Sequence, residues 1–170
     1  GVALSDYSLF KGAQRAVVMN SEGVQMPVVS ILGANDMYDV IKFRVGISTK
    51  KVPALNPATT APAVGANVYI LPYSTQKDRS YTAGQVKAAD KFSEKYYYYT
   101  LRLKDKMVSC PVMTEEGQVF ALAQKSSGAD TATICYAVDA KFAIDQNVSA
   151  FSFSDMTLKN IGIKKALPDT

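Results

Sequence analysis

The feature of this sequence that most restricts its fold is a succession of short apolar stretches, each followed by turn-forming residues. In residues 38–45, the clearest of these stretches, apolar side chains alternate with charged ones. A period of two residues is the pattern of a half-buried β-strand. Helical spacing is confined to residues 139–146 and to a short stretch at 154–161. Many short strands with little helix predict an all-β sandwich or barrel.

The predicted strands form two groups with a polar segment between them. They cover residues 14–20, 25–32, 38–45, 67–72, 81–88, 96–103, 111–113, 118–124 and 131–138. Turns are predicted at 21–23, 33–36 and 115–117, and a proline-rich surface loop is predicted at 50–67. The predicted organisation is a first unit over 1–73, a connection over 74–80, a second unit over 81–150 and an extension over 151–170.

Composition excludes several classes of function. The chain contains no histidine, and Ser-His-Asp and Cys-His catalysis both need an imidazole to carry a proton near neutral pH. Only Cys110 and Cys135 could supply soft zinc ligands, so we predict neither a metal site nor a cofactor. Cys135 lies in an apolar run, which predicts a buried free thiol.

Charge and hydropathy argue against nucleic acid and membrane as partners. The net charge of the 170 residues is +4, but the lysines are scattered along the chain, which favours a solvated basic surface over a nucleic-acid site. No apolar run approaches the roughly 20 residues that a membrane-spanning helix needs.

Two fragments in the first half of the chain match the surroundings of a catalytic histidine and its aspartate in a known family. Residues 5–13 resemble the motif Thr-x-x-His-Val-x-x-Gly-Ala, and Ser8 falls on the histidine. Residues 38–45 resemble Asp-Leu-Ala-x-Leu-x-Val, and Asp39 falls on the aspartate that orients this histidine. Residues 64–70 resemble the strand that ends the first barrel of the same family.

A third fragment matches the nucleophile segment. Residues 106–112 resemble Gly-x-Ser-Gly-Gly-Pro-Leu, with Pro111 as the anchor of the match. Lys106 then falls on the oxyanion-hole glycine and Val108 falls on the nucleophilic serine. Together these fragments resemble the trypsin-like (chymotrypsin-fold) serine peptidases, in their bacterial two-barrel branch, with a degenerate catalytic triad.

The resemblance implies a fold and a cellular context. The implied fold is all-β, with two antiparallel β-barrels and a short C-terminal helix. The family's first strand lies before Gly1, so the first barrel is expected to lack its N-terminal strand, which would leave an edge open to dimerisation or strand exchange. Similar bacterial proteins suggest a helical-repeat module in the same full-length chain and a periplasmic or secreted location.

The residues at the triad positions cannot perform peptidase chemistry. Val108 has no lone pair with which to attack, and Ser8 is a poor general base. Asp39, without an imidazole, is expected to accept hydrogen bonds from the Ser8 hydroxyl or from amides of residues 7–10. The implied function is that of a catalytically inactive homologue that binds protein or peptide, or acts as a scaffold, for example by strand addition along the former substrate cleft.

Other interpretations remain open. Ser109 or Cys110 could act as the nucleophile of an atypical hydrolase, with Lys104 or Lys106 as its base. A purely structural spacer would bind no peptide. The four tyrosines of residues 96–99 could mark a binding surface, although a strand would place two of them in the core and two at the surface.

Overall fold

The fold consists of two compact units, each built almost entirely of antiparallel strands. The computed structural model describes residues 1–47, 54–70, 81–103, 110–124 and 133–147. One unit comprises Gly1–Val52 with Gln146–Thr170, and the other comprises Pro53–Asp145. The second helix, predicted at 154–161, and the extension at 151–170 lie outside the described residues. Within the described ranges, no helix has the length and hydropathy of a membrane span.

The first unit is an open four-stranded sheet in the order β1-β4-β3-β2. Its strands are β1 (Val2–Ser5), β2 (Val17–Met19), β3 (Gln25–Asn35) and β4 (Val40–Val45). The alternation of apolar and polar residues in the sequence did not predict β1. A single turn of 3₁₀ helix at Tyr7–Leu9 follows this strand.

The core of the first unit comes from the alternation that the sequence shows. In β4 every residue except Lys42 and Arg44 is buried. Ile31 of β3 and Ile41 of β4 are both fully buried, and the rings of Phe10 and Phe43 lie 5.0 Å apart between centroids. Burying such side chains contributes roughly 1.5–3 kcal/mol each, which holds the turn at residues 7–10 against the sheet.

The second unit is a closed barrel of six strands in the order β10-β7-β6-β5-β8-β9, and β9 pairs with β10 to close it. The strands are β5 (Asn67–Ile70), β6 (Thr82–Phe92), β7 (Tyr96–Leu103), β8 (Cys110–Met113), β9 (Val119–Ala123) and β10 (Thr133–Asp139). A short helix, α1 (Ala140–Ile144), follows β10, and the Asp139 side chain caps it by accepting from the Lys141 amide. The predicted two-barrel all-β class with a short C-terminal helix is confirmed, the first unit being a half-barrel sheet.

Strand β5 requires a correction to the sequence analysis, which assigned it to the end of the first barrel. It pairs with β6 and β8 of the closed barrel. Val68 and Ile70 are fully buried in the core of that barrel. The predicted connection at 74–80 lies outside the described residues. The strands before and after it, β5 and β6, belong to one barrel, and the structure divides the chain near residue 52. A short apolar stretch is equally suited to the core of either unit, so its pattern does not indicate its partner strands.

The turn predicted at 33–36 is also wrong, because β3 continues to Asn35. Gly33 does not share the positive φ of Gly12 or Gly117. A Cβ at Gly33 would lie 2.7 Å from the carbonyl carbon of Gln146. This glycine therefore permits the close approach of another segment of the same unit instead of forming a turn.

The four consecutive tyrosines of β7 alternate between two faces, as predicted. Tyr99 is buried in the barrel core and Tyr97 packs against it. The other two are not ordinary surface residues, because the Tyr96 hydroxyl donates to Asp145 at 2.7 Å and the Tyr98 hydroxyl donates to Gln124 at 2.8 Å.

We predict that Tyr7→Phe raises the free energy of unfolding by about 1 kcal/mol, because a buried unsatisfied hydroxyl is costly. Tyr7 is 1% exposed, and its hydroxyl has no hydrogen-bond partner among the described residues. Burial and the Asp36 carboxylate both raise the pKa of Tyr7. Urea unfolding measures the change. As a matched control, Tyr98→Phe should lower stability by about 1 kcal/mol, since its hydroxyl is bonded. If the Tyr7→Phe protein were less stable than wild type, the Tyr7 hydroxyl would not be an unsatisfied buried group.

Candidate functional site: the Ser8–Asp39 pair

The turn at Tyr7–Leu9 presents Ser8 to solvent while anchoring its neighbours in the core. The amide of Phe10 donates to the Tyr7 carbonyl at 2.8 Å, which closes the turn. Tyr7 and Phe10 are buried, whereas Ser8 and Leu9 are exposed. Residues three apart eclipse in a 3₁₀ turn, so the two aromatic side chains point to the same side. Ser8 is thus held at the surface by the burial of its neighbours.

Asp39 immediately precedes β4 and extends the pairing of β1 with β4. Ser5 pairs with Ile41 in that ladder, and the Tyr7 amide donates to the Asp39 carbonyl at 3.2 Å, two residues further along each strand. The φ angle of Asp39 is 53°, in the left-handed region. Aspartate tolerates this region better than most residues do. The local backbone therefore places the Asp39 side chain beside Ser8.

The Asp39 carboxylate binds Ser8 through both of its oxygens. The Ser8 amide donates to Oδ1 at 2.5 Å and the Ser8 hydroxyl donates to Oδ2 at 2.9 Å. The structure confirms the expected contact between Asp39 and Ser8. Because these two donors are 31 positions away from Asp39 in sequence, the pair also ties the turn to the start of β4.

The chemistry available to this pair is limited. The Ser8 hydroxyl donates its hydrogen bond directly to the Asp39 carboxylate, with no side chain between the two groups. Charge-assisted hydrogen bonds of this kind position a backbone turn. Catalysis by a Ser-His-Asp triad instead needs an imidazole between the hydroxyl and the carboxylate, and the chain contains no histidine.

Charged and aromatic groups flank the pair on the same turn. The Lys11 ammonium forms an ion pair with Asp36 at 2.5 Å and lies 5.5 Å from the centroid of the Tyr7 ring. Both side chains of the ion pair are substantially exposed, so its contribution to stability is small.

The nucleophile motif is only partly described by the structure. Lys104, Lys106, Val108 and Ser109 all lie outside the described residues. Cys110 is the first residue of β8, where it is 7% exposed and belongs to the barrel core.

The predicted burial of Cys135 is confirmed, since this residue is fully buried as a free thiol. Burial raises the pKa of the Cys135 thiol to about 11. At neutral pH almost none of it is thiolate, which is the reactive form of cysteine.

One feature of the second unit was not anticipated from the sequence. A cavity of about 340 Å³ is lined by residues from four separate segments, among them Pro57, Tyr99, Phe120 and Lys141. The four-tyrosine run, which the sequence analysis left open as a binding surface, contributes Tyr97 and Tyr99 to its lining. The other wall residues come from distant parts of the chain, so their patterns gave no indication that they meet.

Comparison with known proteins identifies the fold. Neither a family model nor a curated protein matches the sequence. The active form of the Rv3671c protease from M. tuberculosis matches 89% of this chain over 70% of its own, with a TM-score of 0.66 and 17% identity. Its inactive form matches 85% of this chain over 76% of its own, with a TM-score of 0.65 and 18% identity. This chain has the fold of the trypsin-like serine proteases.

A peptide-bound protease is among the similar structures. The HtrA-type protease AlgW with a decapeptide matches 85% of this chain, with a TM-score of 0.64 and 14% identity. This chain spans 46% of the AlgW chain. At these identities the trypsin-like fold is shared, while function must be argued from the residues at the site.

A double-mutant cycle tests the Ser8–Asp39 pair. We expect Asp39→Asn to lower the free energy of unfolding by about 1–2 kcal/mol and Ser8→Ala by about 1 kcal/mol, because hydrogen bonds to a charged group are lost. The double variant should lose less than the sum of the two. Asp90→Asn, at an exposed position of β6, is the matched control and should change stability by less than about 0.5 kcal/mol. Additive effects measured by denaturant unfolding would show that the two side chains have no coupling energy.

Proposed function

We propose that this chain is a non-catalytic protein- or peptide-binding module built on the trypsin-like protease fold. The observation that carries the proposal is the hydrogen bond from the Ser8 hydroxyl to Asp39 at 2.9 Å. In a working triad the aspartate orients an imidazole that takes the proton of the nucleophile. Here a hydroxyl occupies the position facing the carboxylate, and the chain has no histidine that could replace it.

The nucleophile motif supports the same proposal. Val108 falls on the attacking serine and has no atom that could form a covalent intermediate. Lys106 falls on the oxyanion-hole glycine, where a side chain restricts the backbone from turning its amide toward the substrate oxygen. Base, nucleophile and oxyanion donor are thus all altered, and catalysis loses orders of magnitude when even one triad member is removed.

The alternative is an atypical hydrolase that uses Ser109 or Cys110 with a lysine base. The burial of Cys110 in the barrel core weighs against its use as a nucleophile, because a reactive cysteine must be both accessible and ionised. A serine–lysine pair at Ser109 remains the principal competitor.

An activity-based probe distinguishes the two functions. We expect no covalent labelling by a fluorophosphonate and no turnover of a generic peptide substrate by the wild-type protein. Labelling coupled to turnover, lost in Ser109→Ala or Cys110→Ala, would establish the hydrolase instead.

The same assay tests the positional assignment by gain of function. The triple variant Ser8→His, Val108→Ser, Lys106→Gly should acquire fluorophosphonate labelling. Adding Asp39→Asn to it should reduce any turnover by about 10⁴-fold, because the imidazole would lose its orienting carboxylate.

Strand addition is the mode of peptide binding that the first unit offers. The backbone amide of Val28 donates to the Ala16 carbonyl at 3.0 Å, and the backbone amide of Asn20 donates to the Val24 carbonyl at 3.0 Å. Ala16 and Asn20, which flank β2, therefore bond to β3, so the alternation of an antiparallel ladder turns the peptide groups of Val17 and Met19 to the opposite edge. No other strand of the described residues pairs with this edge. Extended peptides bind to unpaired edges of this kind, and the AlgW structure shows a related fold with a peptide bound.

A proline substitution tests this edge. Val17→Pro removes an outward amide, so we expect the retention of peptides from a random library to weaken about three- to tenfold, the effect of one hydrogen bond. Val17→Ala is the matched control because it shortens the side chain and keeps the amide. Equal binding by both variants, measured by fluorescence polarisation, would rule out strand addition at β2. Failure of the wild-type protein to retain any peptide would favour the structural spacer.

A further inference from the structure

The cavity of about 340 Å³ in the second unit has the features of a binding site with both an apolar and a cationic part. Its volume falls within the range of small-molecule sites. All of the residues that line it belong to the unit Pro53–Asp145. The Ser8–Asp39 pair and the edge of β2 belong to the other unit.

One wall is an apolar surface that backbone hydrogen bonds hold in place. The Ala58 amide donates to the Val119 carbonyl at 2.8 Å, and the Val119 amide donates to the Asn56 carbonyl at 2.8 Å. This parallel bridge fixes Pro57 and Ala58 beside Val119 and Phe120, which line the cavity with them. The wall is therefore formed before any ligand arrives, which lowers the entropic cost of binding.

A second part of the lining is a set of packed aromatic rings that carries a hydroxyl donor. The rings of Tyr97 and Tyr99 are stacked with centroids 5.8 Å apart, and Tyr99 meets Phe120 edge to face at 5.0 Å. Tyr99 is 1% exposed and lines the cavity. Its phenolic hydroxyl is a hydrogen-bond donor, so an acceptor on a ligand in the cavity has a partner there.

The remaining groups make the cavity cationic. Lys95 and Lys141 both line it, and neither ammonium forms an ion pair with the described residues. The one carboxylate in the wall, Asp139, is already engaged, accepting from the Tyr97 amide at 3.0 Å and from the Lys141 amide at 3.0 Å. Two ammonium groups against one carboxylate leave the lining with a net charge of +1, which favours an anionic occupant.

We propose that this cavity binds an apolar carboxylate, whose carboxyl group accepts a hydrogen bond from Tyr99 and is attracted by Lys95 and Lys141, while its apolar body packs on Phe120 and Pro57. Burial, together with Asp139 and Tyr97, raises the pKa of Tyr99, so its hydroxyl remains a donor at neutral pH. The carboxylate could belong to a free organic acid or to the C-terminal residue of a peptide, since both present the same chemistry.

Isothermal titration with matched probes tests the ligand class. We expect 4-phenylbutyrate to bind at least about tenfold more tightly than 4-phenylbutyramide, which has the same body and no charge. The cationic analogue 4-phenylbutylamine should bind least, and the affinity of the acid should fall with added salt. Equal affinity for acid and amide, preference for the amine, or no saturable binding would each overturn the proposal.

Three variants place the carboxylate within the cavity. Tyr99→Phe removes only the hydroxyl and should weaken binding of the acid about tenfold. Lys141→Gln should weaken it about two- to fivefold, as expected for a partly exposed ion pair, and it leaves the barrel core untouched. Lys91→Gln is the matched control, because the Lys91 ammonium lies 5.6 Å from the centroid of the Tyr97 ring but Lys91 does not line the cavity. If Lys91→Gln and Lys141→Gln lost affinity for the acid equally, the assignment of Lys141 to the carboxylate site would be overturned.

A further arm of the titration distinguishes the source of the carboxylate. A short peptide ending in phenylalanine with a free carboxyl group is compared with the same peptide amidated at its C-terminus. Preference for the free carboxyl form, lost in Lys141→Gln, would identify a peptide terminus as a ligand. Binding of the small acid alone would restrict the site to free organic acids.

Discussion

The pairing of β9 with β10 is the interaction on which the second unit depends, because it closes six strands into a barrel. Ala123 faces Ala137 at this seam, and both are fully buried. The small side chains of the closing strands leave room inside the barrel for Tyr99 and Phe120. A narrow barrel needs such an alternation of small and large residues in its interior. Asp139, at the end of the seam, caps α1 and bonds to β7, so closure also shapes the cavity beside it.

The Ser8–Asp39 pair is held together by the backbone as well as by the two side chains. The backbone bond between Tyr7 and Asp39 brings the turn and the carboxylate together independently of the side chain at position 8. Under the proposed function, Ser8 binds the carboxylate that would orient an imidazole in a working triad. The trypsin-like fold therefore does not by itself imply peptidase activity for this chain.

Parts of the fold and site were predictable because they depend on local pattern. The alternation in residues 38–45 predicted β4, and the contact of Asp39 with Ser8 followed from the absence of histidine together with the family motifs. The misassigned β5 and the misplaced turn at Gly33 have a common cause. Both depend on which distant segment packs against them, and no local pattern reports that.

The amino-acid sequence by itself determined the all-β class, the two faces of β7 and the chemistry that is unavailable, because strand periodicity and the absence of imidazole are properties of residues and their immediate neighbours. Only the tertiary structure decided which strands share a barrel and where a binding cavity forms. Lys95 and Lys141 are 46 positions apart in sequence and share one cavity because the antiparallel pairing of β7 with β10 brings the start of β7 beside the end of β10. Strand pairing joins residues that are far apart in sequence, and local sequence patterns do not encode which strands pair.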